Sequence, residues 1–446
     1  MRICLSVRCV LTGWLFFAAA ATIIAADTDA KSQAGQSSDT ARRQFDGAVA
    51  LHKGGAFDLA VDEWEKFLKK FPDDPLAAQA QFFAGVCYLS LKDKQYDKAR
   101  EAFEKVVAKY PKFEQLDKAY FDLGLADYNL AQAGRADLYP RASDAFGQLI
   151  GKFPRSAQVP EALLYRGESL YALGKKDEAV KAWSELTSKY ADSPARARGL
   201  YNLGIANQEL GKQAEAGATF DAFAKDYPQH ELAAEVRMRK GDTLLDTGRF
   251  ADAERQFAEA LKQRDFPLAD YATLRLGAAL AGEKQYAAAA AMYASLPGKF
   301  PKSNFVGAAT LAGGNCYYLA GNQREARTWL GKVLAGGGDQ AAEGAHWIAR
   351  SWLKEKQPAE ALAAVERALP VAEKGPRAGD LLMDKADALY DMPDRRSEAA
   401  AVYAKLAEKN PNNPQAAQAL YMAASAALGA ADYPAAMRYV DSFHKT

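Results

Sequence analysis

Four marks at fixed offsets constrain this chain more tightly than its length does. Gly204 is followed by Ala216, Phe220 and Pro228, at twelve, sixteen and twenty-four residues. The same spacing joins Gly277, Ala289, Tyr293 and Pro301. It joins Ala48, Ala60, Trp64 and Pro72, and again Asp387, Ala399, Tyr403 and Pro411. Without the proline it joins Gly167, Ala179 and Trp183; Gly241, Ala253 and Phe257; and Gly314, Ala326 and Leu330. After Gly85 the later marks slip by two residues, to Ala99, Phe103 and Pro111, and after Gly124 by six, to Ala142, Phe146 and Pro154. Marks that slip together place the extra residues in a turn between two helices. A period near 37 residues means stacked copies of one supersecondary unit. The small first residue lets a second helix cross closely, and the alanine faces it. The ring lies four residues on, on the same helix face, and is expected to fill the space between neighbouring copies. The proline ends the second helix.

The pattern resembles the tetratricopeptide repeat (TPR). About eleven copies share one register, beginning near residues 41, 76, 115, 158, 195, 232, 269, 305, 341, 378 and 415. The ninth and eleventh are the weakest, with Ala349 and Ala424 in place of the glycine. The resemblance implies an all-α fold over residues 41–446: a TPR solenoid, a right-handed superhelix of about eleven helix-turn-helix repeats. The first helix of each repeat, helix A, would line a concave face. Stability should come from each copy leaning on its neighbours, since one hairpin buries little alone.

The N-terminus carries a different signal. Arg2 and Arg8 precede the apolar stretch Val10–Ile24, and small residues Ala25 and Ala26 follow. Residues 1–26 therefore read as a signal peptide, with an uncleaved anchor as the alternative. The stretch is short for a membrane span, so no span is expected after cleavage. Residues 27–40 are small and polar and read as a flexible linker.

Composition excludes several functions. Lys and Arg number 57 against 56 Asp and Glu, which leaves no cationic excess for nucleic acid. His52, His230, His346 and His444 stand far apart, without metal-ligand spacing. Gly336-Gly337-Gly338 lacks the Lys-Ser/Thr of a phosphate loop and falls where a turn is due. There is no nucleophile elbow. No catalytic residue, metal or cofactor is expected. Cys87 and Cys316 lie in different repeats and read as buried free thiols.

A signal followed by TPRs narrows the likeness. Phe67-Leu68-Lys69-Lys70-Phe71-Pro72, then Gly85-Val86-Cys87-Tyr88, then Val107-Ala108-Lys109-Tyr110-Pro111 resemble the envelope subgroup of TPR proteins. That subgroup includes the Tol–Pal-associated periplasmic protein (YbgF/CpoB-like) and the BAM-complex lipoprotein (BamD-like). The resemblance implies a scaffold in the periplasm or cell envelope that binds one or more proteins. The alternative is a regulatory or docking arm of a larger envelope enzyme or secretion apparatus. Binding candidates follow from the register. Three residues before the small mark stand Phe82, Phe121, Tyr201 and Met238, a ladder that reads as a peptide groove or as helix packing. Trp347 and Arg350 have hot-spot chemistry. Arg135 and Tyr139 sit on the six-residue insertion.

Overall fold

The computed structural model describes residues 37–336, 338–372, 375, 377–409 and 414–444. The expected signal peptide, most of the linker, Gly337 and Asn410-Pro411 lie outside them. The described residues form twenty-two α-helices that pair in chain order into eleven hairpins, the all-α array expected from the repeat. The hairpins run Asp39–Lys53 with Phe57–Lys70, Ala77–Ser90 with Tyr96–Lys109, Leu116–Gln132 with Tyr139–Lys152, and Val159–Ala172 with Lys176–Lys189. They continue with Ala195–Glu209 and Gln213–Asp226, Ala233–Asp246 and Phe250–Ala260, Ala269–Gly282 and Tyr286–Lys299. The last four are Val306–Leu319 and Gln323–Gly336, Gly338–Lys354 and Pro358–Ala372, Ala378–Tyr390 and Arg396–Lys409, Pro414–Gly429 and Tyr433–Phe443.

Local chemistry sets the ends. The first helix starts at Asp39, two residues ahead of the expected boundary, because the Ser38 hydroxyl accepts from the Ala41 amide and caps it. In eight of the eleven hairpins helix A ends in a left-handed residue two places before helix B, as at Gly174 and Gly211, with φ of 76° and 75°. There the next amide bonds back five residues, Lys175 to Leu170 and Lys212 to Asn207, which satisfies carbonyls the helix end leaves free. Helix B ends on an aromatic residue that has left the helical range, Phe71 at φ −131° and Tyr227 at φ −131°; the proline that follows each disfavours helical backbone there. The six-residue insertion folds into a 3₁₀ turn, Ala136–Leu138, because Leu138 is buried against Leu130 and Ala131.

Two compact units divide at Ala206–Asn207. The core of the first joins Phe45, Trp64, Phe67, Phe82, Phe103, Phe146 and Trp183 along successive hairpins. The second has one core around Met238, Phe257, Leu276 and Tyr293, and another around Val365, Leu381, Leu389 and Tyr403. Every alanine mark on helix B is fully buried: Ala60, Ala99, Ala142, Ala179, Ala216, Ala253, Ala289, Ala326 and Ala399 are all 0% exposed.

The rings do more than fill gaps between copies. At residues 85, 124, 167, 241 and 277 the ring lies over the glycine mark of its own hairpin, and at 314 a leucine does. A β-carbon on Gly85 would meet Phe103 at 2.7 Å, on Gly124 Phe146 at 2.8 Å, and on Gly241 Phe257 at 2.8 Å. On Gly277 it would meet Tyr293 at 2.6 Å, and on Gly314 Leu330 at 2.6 Å. Some rings also reach the next hairpin, as Phe146 does by stacking on Tyr165 at 5.8 Å between centroids. Gly204 is buried within the helix Ala195–Glu209.

Candidate protein-binding face

Successive A helices present their residues in register, and the rung three before the small mark is mostly packing. Phe82 is 4% exposed and Met238 3%. Phe82 lies against Phe103 of its own hairpin and Phe113, which leads into the next. The sequence treats these two as groove candidates; in the structure neither has surface to offer, because this rung faces the following hairpin. Phe121 and Tyr201 are half-buried, with Phe121 edge-on to Phe146 and Tyr165.

The rung one residue after the small mark is different. Where it is polar, it bridges to the next A helix. Glu168 is 6% exposed. It accepts from Arg198 at 2.7 Å, Asn202 at 2.9 Å and the Tyr128 hydroxyl at 2.7 Å. Asp242 accepts from Arg275 at 2.6 Å and Tyr271 at 3.1 Å. Burial holds the Asp242 carboxyl above its ordinary range, with Arg275 pulling the other way. Arg350 reaches Asp387 at 2.9 Å, and on the rung three before the mark His346 meets Asp384 at 2.5 Å. These polar bridges escape pattern reading, because each half looks like an ordinary surface charge until the next A helix is placed.

One step of this rung is unfilled. Asn202 and Arg275, the partners of Glu168 and Asp242, both stand two residues before the next small mark. The equivalent positions in hairpins eight and nine are Asn315 and Trp347. Neither buried Asn315 Oδ1 nor buried Trp347 Nε1 has a hydrogen-bond partner. The Trp347 indole packs between Tyr318 at 5.2 Å and His346 at 5.1 Å. Arg350 beside it keeps 43% of its side chain exposed while holding Asp387. The sequence singles out Trp347 and Arg350 but misses Asn315 as its counterpart.

The insertion candidates lie elsewhere. Arg135 is exposed and pairs with Asp97 at 2.5 Å, and Tyr139 is half-buried, edge-on to Tyr128 at 6.1 Å. The pair ties the turn to the preceding hairpin.

Among the described residues no group of three or more His, Cys, Asp or Glu side chains could hold a metal ion. No described helix is long and apolar enough to cross a membrane. The described cysteines, Cys87 and Cys316, are buried and free. His52 Nδ1 lies 3.1 Å from Cys87 Sγ inside the core. Burial pushes the Cys87 thiol up to about 12, which leaves no thiolate for chemistry.

A family model described as a tetratricopeptide repeat matches residues 45–112, 132–186, 166–231 and 238–304. No curated protein matches the chain. Several solved structures are similar. A tetratricopeptide repeat protein from Parabacteroides merdae aligns over 60% of this chain and 99% of its own, at 16% identity and a TM-score of 0.40. The C-terminal part of a TPR repeat-containing protein from Cytophaga hutchinsonii aligns over 57% and 99%, at 18% identity and a TM-score of 0.46. PilW, a type IV pilus biogenesis factor, aligns over 51% and 97%, at 20% identity and a TM-score of 0.38.

Proposed function

Since the chain belongs to the tetratricopeptide repeat family, whose model matches more than half of it, we propose that it is an exported, non-catalytic scaffold of the bacterial periplasm or cell envelope. Its work is display: a rigid row of A helices holds a segment of a partner protein and contributes no bond chemistry. The observation that carries this reading is the unfilled rung at Asn315 and Trp347. A buried amide oxygen and a buried indole N–H are costly to leave unpaired, by about 1–3 kcal/mol each. Both atoms are covered in the free chain, so a bound segment reaches them when the half-buried Asn315 and Trp347 side chains turn outward, and its backbone then offers the donor and the acceptor that satisfy both. Export rests on Arg2, Arg8 and the apolar run Val10–Ile24, and the Tol–Pal-like and BAM-like flavour on the aromatic-proline segments near residues 71 and 110.

The test combines Trp347→Phe with Asn315→Ala. Each removes an unpaired polar atom, so the free array should melt at the same temperature or slightly higher. Capture of envelope proteins by the variant should fall at least about tenfold, the worth of roughly 1.4 kcal/mol. Undiminished capture would sink the proposed site. N-terminal sequencing of the protein from an envelope fraction should begin near Asp27; recovery only from the cytosol would remove the exported reading.

A further inference from the structure

Seven large apolar side chains are exposed among the described residues, and five belong to the last hairpin: Tyr421 (62%), Leu428 (59%), Tyr433 (63%), Met437 (62%) and Phe443 (40%). The register explains the concentration. Phe443 is the eleventh residue of its B helix, and the eleventh residue of the earlier ones is buried, as with Phe67, Leu149 and Leu296 at 0%. Met437 is the fifth, and that position is covered at Val61 (8%), Ala290 (0%) and Ala400 (3%). Tyr421 corresponds to Phe82 and Met238, and Leu428 to His52 and Tyr128, all buried.

What covers these positions elsewhere is the next hairpin. A β-carbon on Gly199 would meet the eleventh residue of the preceding B helix, Leu186, at 2.6 Å. Phe82 packs on Phe113, and Tyr128 donates to Glu168 of the following A helix. Among the described residues, then, nothing covers the inter-repeat face of this hairpin.

We propose that a second copy of this chain covers it, the two last hairpins pairing about a two-fold axis. The area supports a pair. At about 150–250 Å² for a fully covered ring, the partly exposed Tyr421, Tyr433 and Phe443 together with Leu428 and Met437 amount to roughly 500 Å² per copy. A symmetric pair would then bury on the order of 1,000 Å², the threshold for a specific interface. The other end of the array argues against head-to-tail stacking. Five residues before the small mark, the position that meets the preceding hairpin is small in most copies and fully buried, as at Ala80, Ala119, Ala162 and Ala309 (0%). In the first hairpin it is Arg43, which is exposed. Stacking the last hairpin of one copy on the first of another would press that cation against the apolar side chains of the patch. A closed two-fold pair avoids it.

Sedimentation equilibrium of the full chain at micromolar concentrations tests this. The expected mass is twice that of one chain. Tyr421→Glu with Met437→Glu places a carboxylate on each exposed helix of the patch and should weaken the pair by at least about 100-fold. Both side chains are exposed, so the circular dichroism spectrum should not change. A monomer at all concentrations overturns the proposal, including one in which chain beyond Thr446 covers the face. A dimer that survives the double substitution overturns it, and so does one lost instead on Arg43→Glu. An open-ended polymer overturns it in favour of stacking.

Discussion

Trp183 lies so close to Gly167 that a β-carbon at 167 would stand 2.3 Å from the indole Nε1. That nitrogen donates to the Leu164 carbonyl at 3.1 Å, one turn earlier on the same A helix. The glycine is therefore a seat for the ring, and the ring fixes how closely the two helices of the hairpin approach. The same seating recurs at Gly85, Gly124, Gly241 and Gly277 with their own rings.

Gly167→Ala should lower stability by about 2–4 kcal/mol, because overpacking costs about 1–3 kcal/mol and the displaced indole loses a hydrogen bond. Gly217 lies in the helix Gln213–Asp226 with nothing within 4 Å of its would-be β-carbon. Gly217→Ala should stabilise by about 0.5–1 kcal/mol through lost chain entropy. Chemical denaturation reads both. Equal effects of the two alanines would mean the rings do not depend on their glycines.

The left-handed turn residue is glycine at Gly55, Gly174, Gly211, Gly248 and Gly321, but Lys284, Lys356 and Ala431 hold the same place at φ of 61°, 58° and 59°. A side chain there is disfavoured by about 1–2 kcal/mol. Ala431→Gly should raise the melting temperature, and Gly174→Ala should lower it. A drop for Ala431→Gly would show that this turn is not strained.

Asp127 is 1% exposed, with Arg100 Nε at 2.9 Å and Arg141 Nε at 3.8 Å. Burial outweighs the arginines and lifts its carboxyl to about 6. The folded chain therefore holds this proton more tightly than the unfolded chain does. The resulting stability is full below the ordinary carboxylate range and is lost as pH rises through about 6. Between about pH 5 and 7 the loss should be on the order of 1 kcal/mol after screening. Asp127→Asn should flatten this part of the stability–pH curve. A wild-type curve steepening upward with pH in that window, at the expense of the variant, would contradict the assignment.

Burial raises the Cys316 thiol to about 11, and the Cys87 thiol further still. Neither should react with a thiol reagent in the native chain. Labelling should follow unfolding in denaturant, and labelling of either residue at the rate of an exposed thiol would place it outside the core.

The hairpin register was legible because its marks are local in sequence and each has a steric reason. Even the ninth copy, with Ala349 for glycine, buries Ala361 and Val365 at the expected offsets. The ring position was legible, but its seat was not fully so. Offsets place Phe103 and Gly85 on two helices without saying which neighbour the ring prefers. The candidate face was harder. Whether Phe82 or Met238 meets solvent depends on what the following hairpin covers, and Glu168 gains its meaning only from Arg198 and Asn202, thirty or more residues on. Asn315 follows the Gly314 mark, but that its Oδ1 is buried without a partner depends on the next A helix and is not written in the sequence.

Arg43 makes the first hairpin a poor spare part. Excising, duplicating or reordering hairpins two to five swaps one small-residue contact for another, at Ala80, Ala119, Ala162 and Gly199, so engineered arrays of different length are accessible from them. Transplanting the first among them would trap a guanidinium where its siblings carry at most a methyl group, and such a chimera would need that arginine trimmed before it could fold.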